Sequence, residues 1–377
     1  MKIVFSKKVL AVAISTILFP CVTAASSDTL TLNGSELGIF NDALVEVSGS
    51  TGIQNLVVQN YNIVDFQSGS IFDQMWVPGA ISLGGGNGKE NYPEAYQPYG
   101  ELHLSVLDSS IKGTISDQWF WTGLYLRSDS EGASVIANSN STLDLTVARA
   151  PNEWLQGAAI YAEHKGVDGH SEVVLSEGSD ITVTVQAQGV AGDYNSAVVA
   201  YANQGTTAVY AAKDTLITTN GSGATGIKTF SRDGSTIEHA GTINIHGDVG
   251  NGISAHATED SKGVIAIANL ADGSITMGGN NASAIKAYSA GSGDIQIYNA
   301  GQITLEKGMV AGIEQFESSG IALQSYAADG IVVENITLTA INEGDITARG
   351  EGSHGIHAES NCLLYTSPSP RDMRRSR

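Results

Sequence analysis

Cysteine is almost missing from this chain: Cys21 and Cys362 are the two among 377 residues. Both fall in terminal segments that stand apart from the rest. The body therefore has no disulfide framework, and its stability has to come from burial and backbone pairing. Positive charge is short too, with 19 Lys and Arg against 39 Asp and Glu and a net charge of −20. Phosphate contacts need clustered Lys and Arg, so this balance excludes nucleic acid and anionic lipid as partners and suits a solvated extracellular surface. No apolar run reaches the roughly 20 residues that span a bilayer as a helix. Long helices are excluded by the 44 glycines, which recur inside every repeat, at about 1 kcal/mol per helical position relative to Ala. Disorder is excluded by an apolar content of 42% that is patterned along the chain.

The two ends differ from the body. Lys2, Lys7 and Lys8 precede the apolar run Val9–Phe19, and Val22-Thr23-Ala24 offers small residues at the spacing a signal peptidase reads. Residues 1–24 are therefore read as a secretory signal peptide. Lipidation at Cys21 is disfavoured because Pro20 stands where such a site wants a small residue. At the other end, Cys362-Leu363-Leu364-Tyr365-Thr366-Ser367-Pro368-Ser369-Pro370-Arg371-Asp372 breaks abruptly from what precedes it and resembles translated sequencing-adapter DNA. Residues 362–377 are expected to be non-native, with the natural chain continuing past Asn361. Setting aside three lysines in the leader, and four arginines against one aspartate in the tail, moves the net charge from −20 to −26 and leaves 12 Lys and Arg.

Between the ends the chain repeats itself. Gly241-Thr242-Ile243, Gly273-Ser274-Ile275, Gly301-Gln302-Ile303 and Gly344-Asp345-Ile346 align on a Gly-x-Ile core. Ten residues after each isoleucine comes a second apolar site, at Ile253, Ile285, Ile313 and Ile356. A third patch completes each unit at Val264–Ile267, Ile295–Ile297 and Ile331–Val333. Apolar and polar residues alternate within each patch, and Gly, Asn and Asp punctuate the gaps, as three short strands joined by turns require. The cores lie 32, 28 and 43 residues apart, and the long gap holds an additional Gly320-Ile321-Ala322-Leu323, read as a loop or a partial coil. Weaker matches run back to Ile115. Residues 101–361 are thus expected to form an all-β, right-handed parallel β-helix of about eight coils, roughly 40 Å long at about 4.8 Å per stacked strand.

Residues 25–100 lack the repeat. They are read as an N-terminal cap with an extended loop, since a solenoid needs its terminal edge covered. Trp76, Tyr92, Tyr96 and Tyr99 lie there. Strand pairing does not require them, so they are read either as ligand contacts, because recognition sits on loops and aromatic faces suit sugars and protein partners, or equally as aromatics that cover the first coil.

The familiar catalytic signatures are absent from the sequence. There is no Gly-x-Ser-x-Gly elbow and no His-Glu-x-x-His; Ser222, between Gly221 and Gly223, reads as a turn residue. His164, Asp168 and His170 are close in sequence but read as a solvated loop, and Gly291-Ser292-Gly293-Asp294 is half of a calcium-binding motif without its tandem partners. Before the aligned isoleucines stand Thr242, Ser274, Gln302 and Asp345, which is not the acid column a carbohydrate-cleaving β-helix would use. No catalytic, cofactor or metal residue is assigned, and an enzyme is not expected. A cluster of acids with arginine on one face would shift the reading toward a lyase.

The leader, the cysteine-free acidic body and units such as Asn299-Ala300-Gly301-Gln302-Ile303-Thr304 leading to Gly312-Ile313 resemble the passenger domains of bacterial autotransporters. The similarity covers about residues 101–360. It implies a β-helix exported through the periplasm to the outer-membrane surface of a Gram-negative bacterium by a C-terminal membrane β-barrel, which this sequence does not contain. The implied partners are a host-surface or bacterial-surface protein or glycan, and the implied role is adhesion or a structural stalk. A two-partner secreted adhesin, a periplasmic β-helix, and a polysaccharide lyase or glycoside hydrolase of the cell exterior remain as alternatives.

Overall fold

The computed structural model describes residues 28–34, 40–41, 45–47, 53–68, 80–84, 100–116, 120–148, 156–186, 195–307, 318–326 and 336–360. These hold thirty strands that wind through three all-parallel sheets of ten strands each, every strand pairing with the third strand before and after it. The chain is a parallel β-helix of ten coils, spanning residues 28–47, 53–84, 102–128, 134–164, 169–202, 205–231, 235–257, 265–289, 295–325 and 338–360. Eight of them lie beyond Glu101. The other two occupy residues assigned from sequence to a cap: Asp28–Asn33 and Ile53–Gln59 already pair in the first sheet, in register with Leu102–Leu107.

The core is a set of columns. Ile63, Ile111, Leu143, Ile181, Ile217, Ile243, Ile275, Ile303 and Ile346 follow one another in register on the second sheet. All but Ile346 are closed to solvent, at 2% exposure or less. In the third sheet Ile227, Ile253, Ile285, Ile321 and Ile356 form a second column. The ninth coil places Ile321, not Ile313, opposite Ile285, so Gly320–Leu323 is a regular strand rather than a loop. Its neighbour in the first sheet is Leu338–Asn342, opposite Ile295–Asn299, and not Ile331–Val333. Ile313 and Ile331–Val333 lie outside the described residues. The ten-residue offset fails there because stacking constrains strands and leaves turn length free. In the tenth coil Ile346 is half-buried and Ile356 is 46% exposed, since each coil relies on its neighbours for cover.

The Gly-x-Ile signature has a structural cause at the corner between the first and second sheets. His239, Asn269, Asn299 and Asn342 occupy one register position at the end of the first sheet. Asn269 Nδ2 donates to Asn299 Oδ1 and Asn299 Nδ2 to Asn342 Oδ1, both at 2.6 Å. These amides fill the corner, and a Cβ on Gly273 would overlap Asn269 Oδ1. Earlier coils solve the same corner differently. Where later coils have Gly241, Gly273, Gly301 and Gly344, they carry buried Ser109, Ser141, Ser179 and Thr215, as the strand register requires. Those hydroxyls bind backbone carbonyls directly, as Ser141 Oγ does to Val106 O at 2.9 Å and Ser179 Oγ to Ser139 O at 2.6 Å.

Another polar tie crosses two coils. Trp121, Gly157 and Asn195 share one register position in the third sheet. The Trp121 indole lies over Gly157, whose hypothetical Cβ would be 2.7 Å from the ring, and its Nε1 donates to Asn195 Oδ1 at 2.9 Å. The fully buried indole N–H is thereby satisfied.

Candidate binding face on the third sheet

Side chains alternate along a strand, so each third-sheet strand sends residues out of the helix between its core positions. Register sets these outward residues in two columns. One runs Tyr125, Tyr161, Val199, Lys228, Ser254, Lys286. The other runs Arg127, Glu163, Tyr201, Phe230, His256, Tyr288.

The second column begins as a charged cluster. Arg127 Nε and its terminal nitrogen donate to the two carboxylate oxygens of Asp129 at 3.1 and 3.2 Å. Glu163 Oε2 accepts from Tyr125 Oη at 2.7 Å and lies 3.8 Å from Arg127 Nε, while Glu163 Oε1 is 3.4 Å from Lys165 Nζ. Arg127 and Glu163 are 9% and 7% exposed. Burial pulls the guanidinium downward, but the Asp129 hydrogen bonds and the negative charges of Glu163 and Asp129 hold it above its ordinary value. Burial first, and the Glu163 charge second, push the Tyr125 phenol well up. Tyr125 is thus a fixed donor and Arg127 a fixed cation, and both oxygens of Glu163 are engaged. This arrangement holds charge in place.

The column then becomes an aromatic ladder. Tyr201 and Phe230 stack at 5.1 Å with 4° between their planes. His256 meets Phe230 edge-on at 5.0 Å and Tyr288 at 4.6 Å. Tyr326 continues the row beyond Tyr288 at 5.9 Å. Beside the first column, Tyr125 and Tyr161 form a tilted pair at 6.0 Å. Tyr161 with Ala158 and Val199 makes a small apolar cluster separate from the core.

No family model matches the chain, and no curated protein or solved structure matches it. The face itself therefore carries the functional argument.

The residues singled out from sequence fare unevenly. Trp76, Tyr92, Tyr96 and Tyr99 lie outside the described residues. His164, Asp168 and His170 do not converge, and a solvated loop describes Asp168 alone, because His164 and His170 belong to the strands Gln156–His164 and Gly169–Leu175. His164 is buried with Nε2 on Ser130 O at 2.8 Å, Asp168 holds a turn at φ 54°, and His170 binds Thr206 and Glu172. Ser222 lies in a turn between Gly221 and Gly223, both at positive φ, and Asp294 accepts the Thr337 N–H at 2.8 Å. No group of three or more His, Cys, Asp or Glu that could hold a metal occurs among the described residues. The ladder itself was not anticipated. Its signal was present: Tyr201, Phe230, His256 and Tyr288 each stand three residues after the inward Val198, Ile227, Ile253 or Ile285.

Proposed function

We propose that this chain is an autotransporter-type passenger, exported to the outer surface of a Gram-negative cell, and that it works as an adhesive rod whose third sheet is the contact face. The observation that carries this reading is the continuous strip from Tyr201 to Tyr288, where aromatic side chains and lysines replace the acids common elsewhere on the chain. Aromatic residues are enriched where proteins recognise partners, and a rigid rod presents them without an ordering cost. The leader, the cysteine-free body and the acidic charge support export and a solvated exterior.

A second reading, a carbohydrate-cleaving enzyme, draws on the Arg127–Asp129–Glu163 cluster, which is the acid-and-arginine grouping such an enzyme would need. Its closed, fully paired geometry favours a structural role. One experiment separates the readings. Beads carrying the purified chain should adhere to host epithelial cells, and a Tyr201→Ser, Phe230→Ser, Tyr288→Ser variant should lose adhesion while keeping its β-type circular dichroism. Equal adhesion by the variant would remove the contact face. Release of reducing or unsaturated ends from acidic polysaccharides, abolished by Glu163→Gln, would replace adhesion with catalysis.

A further inference from the structure

We infer that the outer face of the first sheet, from the sixth coil to the tenth, docks a cationic amphipathic peptide segment. This face is separate from the third sheet, and the inference goes beyond the adhesive reading without resting on it. Register sets one outward column as Tyr210, Glu238, Ala268, Tyr298 and Ile341. The backbone ladder runs one residue past these strands, where the N–H groups of Leu270, Ala300 and Glu343 donate to the carbonyls of His239, Asn269 and Asn299. A second column therefore runs Ala240, Leu270, Ala300, Glu343 at the border of the sheet. Three of the five large apolar side chains exposed among the described residues lie on this face: Val264, Leu270 and Ile341, at 42%, 36% and 51%. Val264, Ala266, Ala268 and Leu270 alternate with buried Ile265, Ile267 and Asn269, so one strand is apolar along its whole outer side. Single exposed apolar residues are ordinary on a soluble protein, whereas a contiguous apolar run rimmed by polar groups marks an interaction site.

Charge selects the partner. Neither column contains Lys or Arg, and their charged members are Glu238 and Glu343. Glu343 Oε2 accepts the Tyr298 hydroxyl at 2.7 Å, which ties that ring to the border. Tyr210 senses two carboxylates: after burial, the charges of Glu172 and Glu238 raise its pKa. Asp272 follows Leu270 by two residues, and Asp294 precedes Ile295, the partner of Ile265. Lys213 and Lys262 stand outside the strands, and Lys213 is 4.0 Å from Asp272. Methyl groups set among carboxylates, with no cation in either column, complement a partner that carries apolar side chains together with Lys and Arg.

Size selects a segment over a globular partner. Five stacked strands span about 19 Å along the rod, and three outward residues of one strand span about 13 Å across it, a footprint of about 250 Å². A stable interface buries about 800 Å² on each partner. A second copy of this chain would also bring its own net charge of −20 against the same carboxylates. One helix fits the footprint, at about 10–12 Å wide and about 13 residues for the 19 Å length. Such a helix sets its apolar side chains on the alanines and Leu270 and its lysines or arginines toward Glu238 and Glu343.

The test uses the full chain and two peptides of about 14 residues, with binding read by isothermal titration calorimetry. One peptide carries leucines along one side of a helix and lysines along the other. The second keeps the lysines and replaces every leucine with serine. Wild type should bind the leucine peptide at least about tenfold more tightly than the serine peptide. Leu270→Ser with Ile341→Ser, and separately Glu238→Lys, should each weaken the leucine peptide by about tenfold, with circular dichroism unchanged because these side chains are exposed. Asp180→Lys makes the same charge change on the outer side of the second sheet and should bind as wild type does. Absence of wild-type binding would overturn the inference. So would equal affinity for the serine peptide, equal losses in Glu238→Lys and Asp180→Lys, or full binding by the Leu270→Ser, Ile341→Ser variant. A dimer that forms without peptide and is lost in that variant would replace the peptide with a second copy. None of these variants touches Tyr201, Phe230 or Tyr288, so cell adhesion that still depends on those three would stand even if the peptide site fell.

Discussion

Val249 holds φ at 63°, in a turn position that Gly223 fills one coil earlier at 71° and Asn281 one coil later at 51°. A β-branched residue pays for that left-handed backbone where Gly and Asn do not. Val249→Asn should therefore raise stability by about 1 kcal/mol, read as a higher midpoint in urea unfolding. The inward columns set the opposite expectation. Ile303 is 1% exposed and Thr304 is half-buried on the outer side. Ile303→Asp puts an unpaired carboxylate in the dry stack and should cost about 4 kcal/mol or more, whereas Thr304→Asp should stay within about 1 kcal/mol. Equal losses in the same urea series would mean that the alternation is misassigned. Single inward residues of this kind were legible from sequence because burial acts on every coil alike. Outward ones such as Phe230 and Tyr288 were not, because the core places no demand on them.

The amide ladder is the element whose behaviour depends on pH. Asn269 passes its amide hydrogen to Asn299, so its oxygen is the acceptor for His239 Nδ1 at 2.8 Å, and the imidazole carries its proton on that nitrogen. Nε2 is buried without a hydrogen-bond partner. Burial pushes the His239 pKa down to about 4, against a smaller upward pull from Asn269. The folded pKa lies below the ordinary histidine value of about 6.5, so the folded form resists a proton that the unfolded chain accepts. Stability is then fully present above about pH 6.5 and falls by up to about 3 kcal/mol as pH drops toward 4. His239→Asn should flatten that part of the pH–stability curve in urea unfolding, and an unchanged slope would assign the acid sensitivity to other groups. The ladder also explains the reach of the sequence reading. Gly-x-Ile marks the coils whose corner is filled by Asn or His, whereas Asp28–Asn33 and Ile53–Gln59 belong to coils without that signature, so the repeat pattern does not reveal them.

At the scale of the whole molecule, the second and third of the three sheets present different outward columns. In its last three coils the second sheet presents hydroxyls outward, with Thr276, Thr304 and Thr347 in one register column. The third presents rings and lysines. That asymmetry was invisible in the composition, which averages the faces, and became readable only when register placed Phe230 beside Tyr201 and His256.

The two polar ties also bear on how such a rod can be inherited. Along the amide ladder Asn269 and Asn299 each donate to the side-chain oxygen of the next coil and accept from the coil before. A duplicated or deleted coil there reconnects Asn to Asn, and the array can lengthen or shorten by whole units. The indole of Trp121 skips a turn, needing a glycine beneath it and an asparagine beyond. Removing residues of the intervening coil would bring Asn195 one layer too near, and inserting one would strand the indole N–H. Copy number can therefore drift among the later coils, while the stretch from Trp121 to Asn195 has to be passed on as a block.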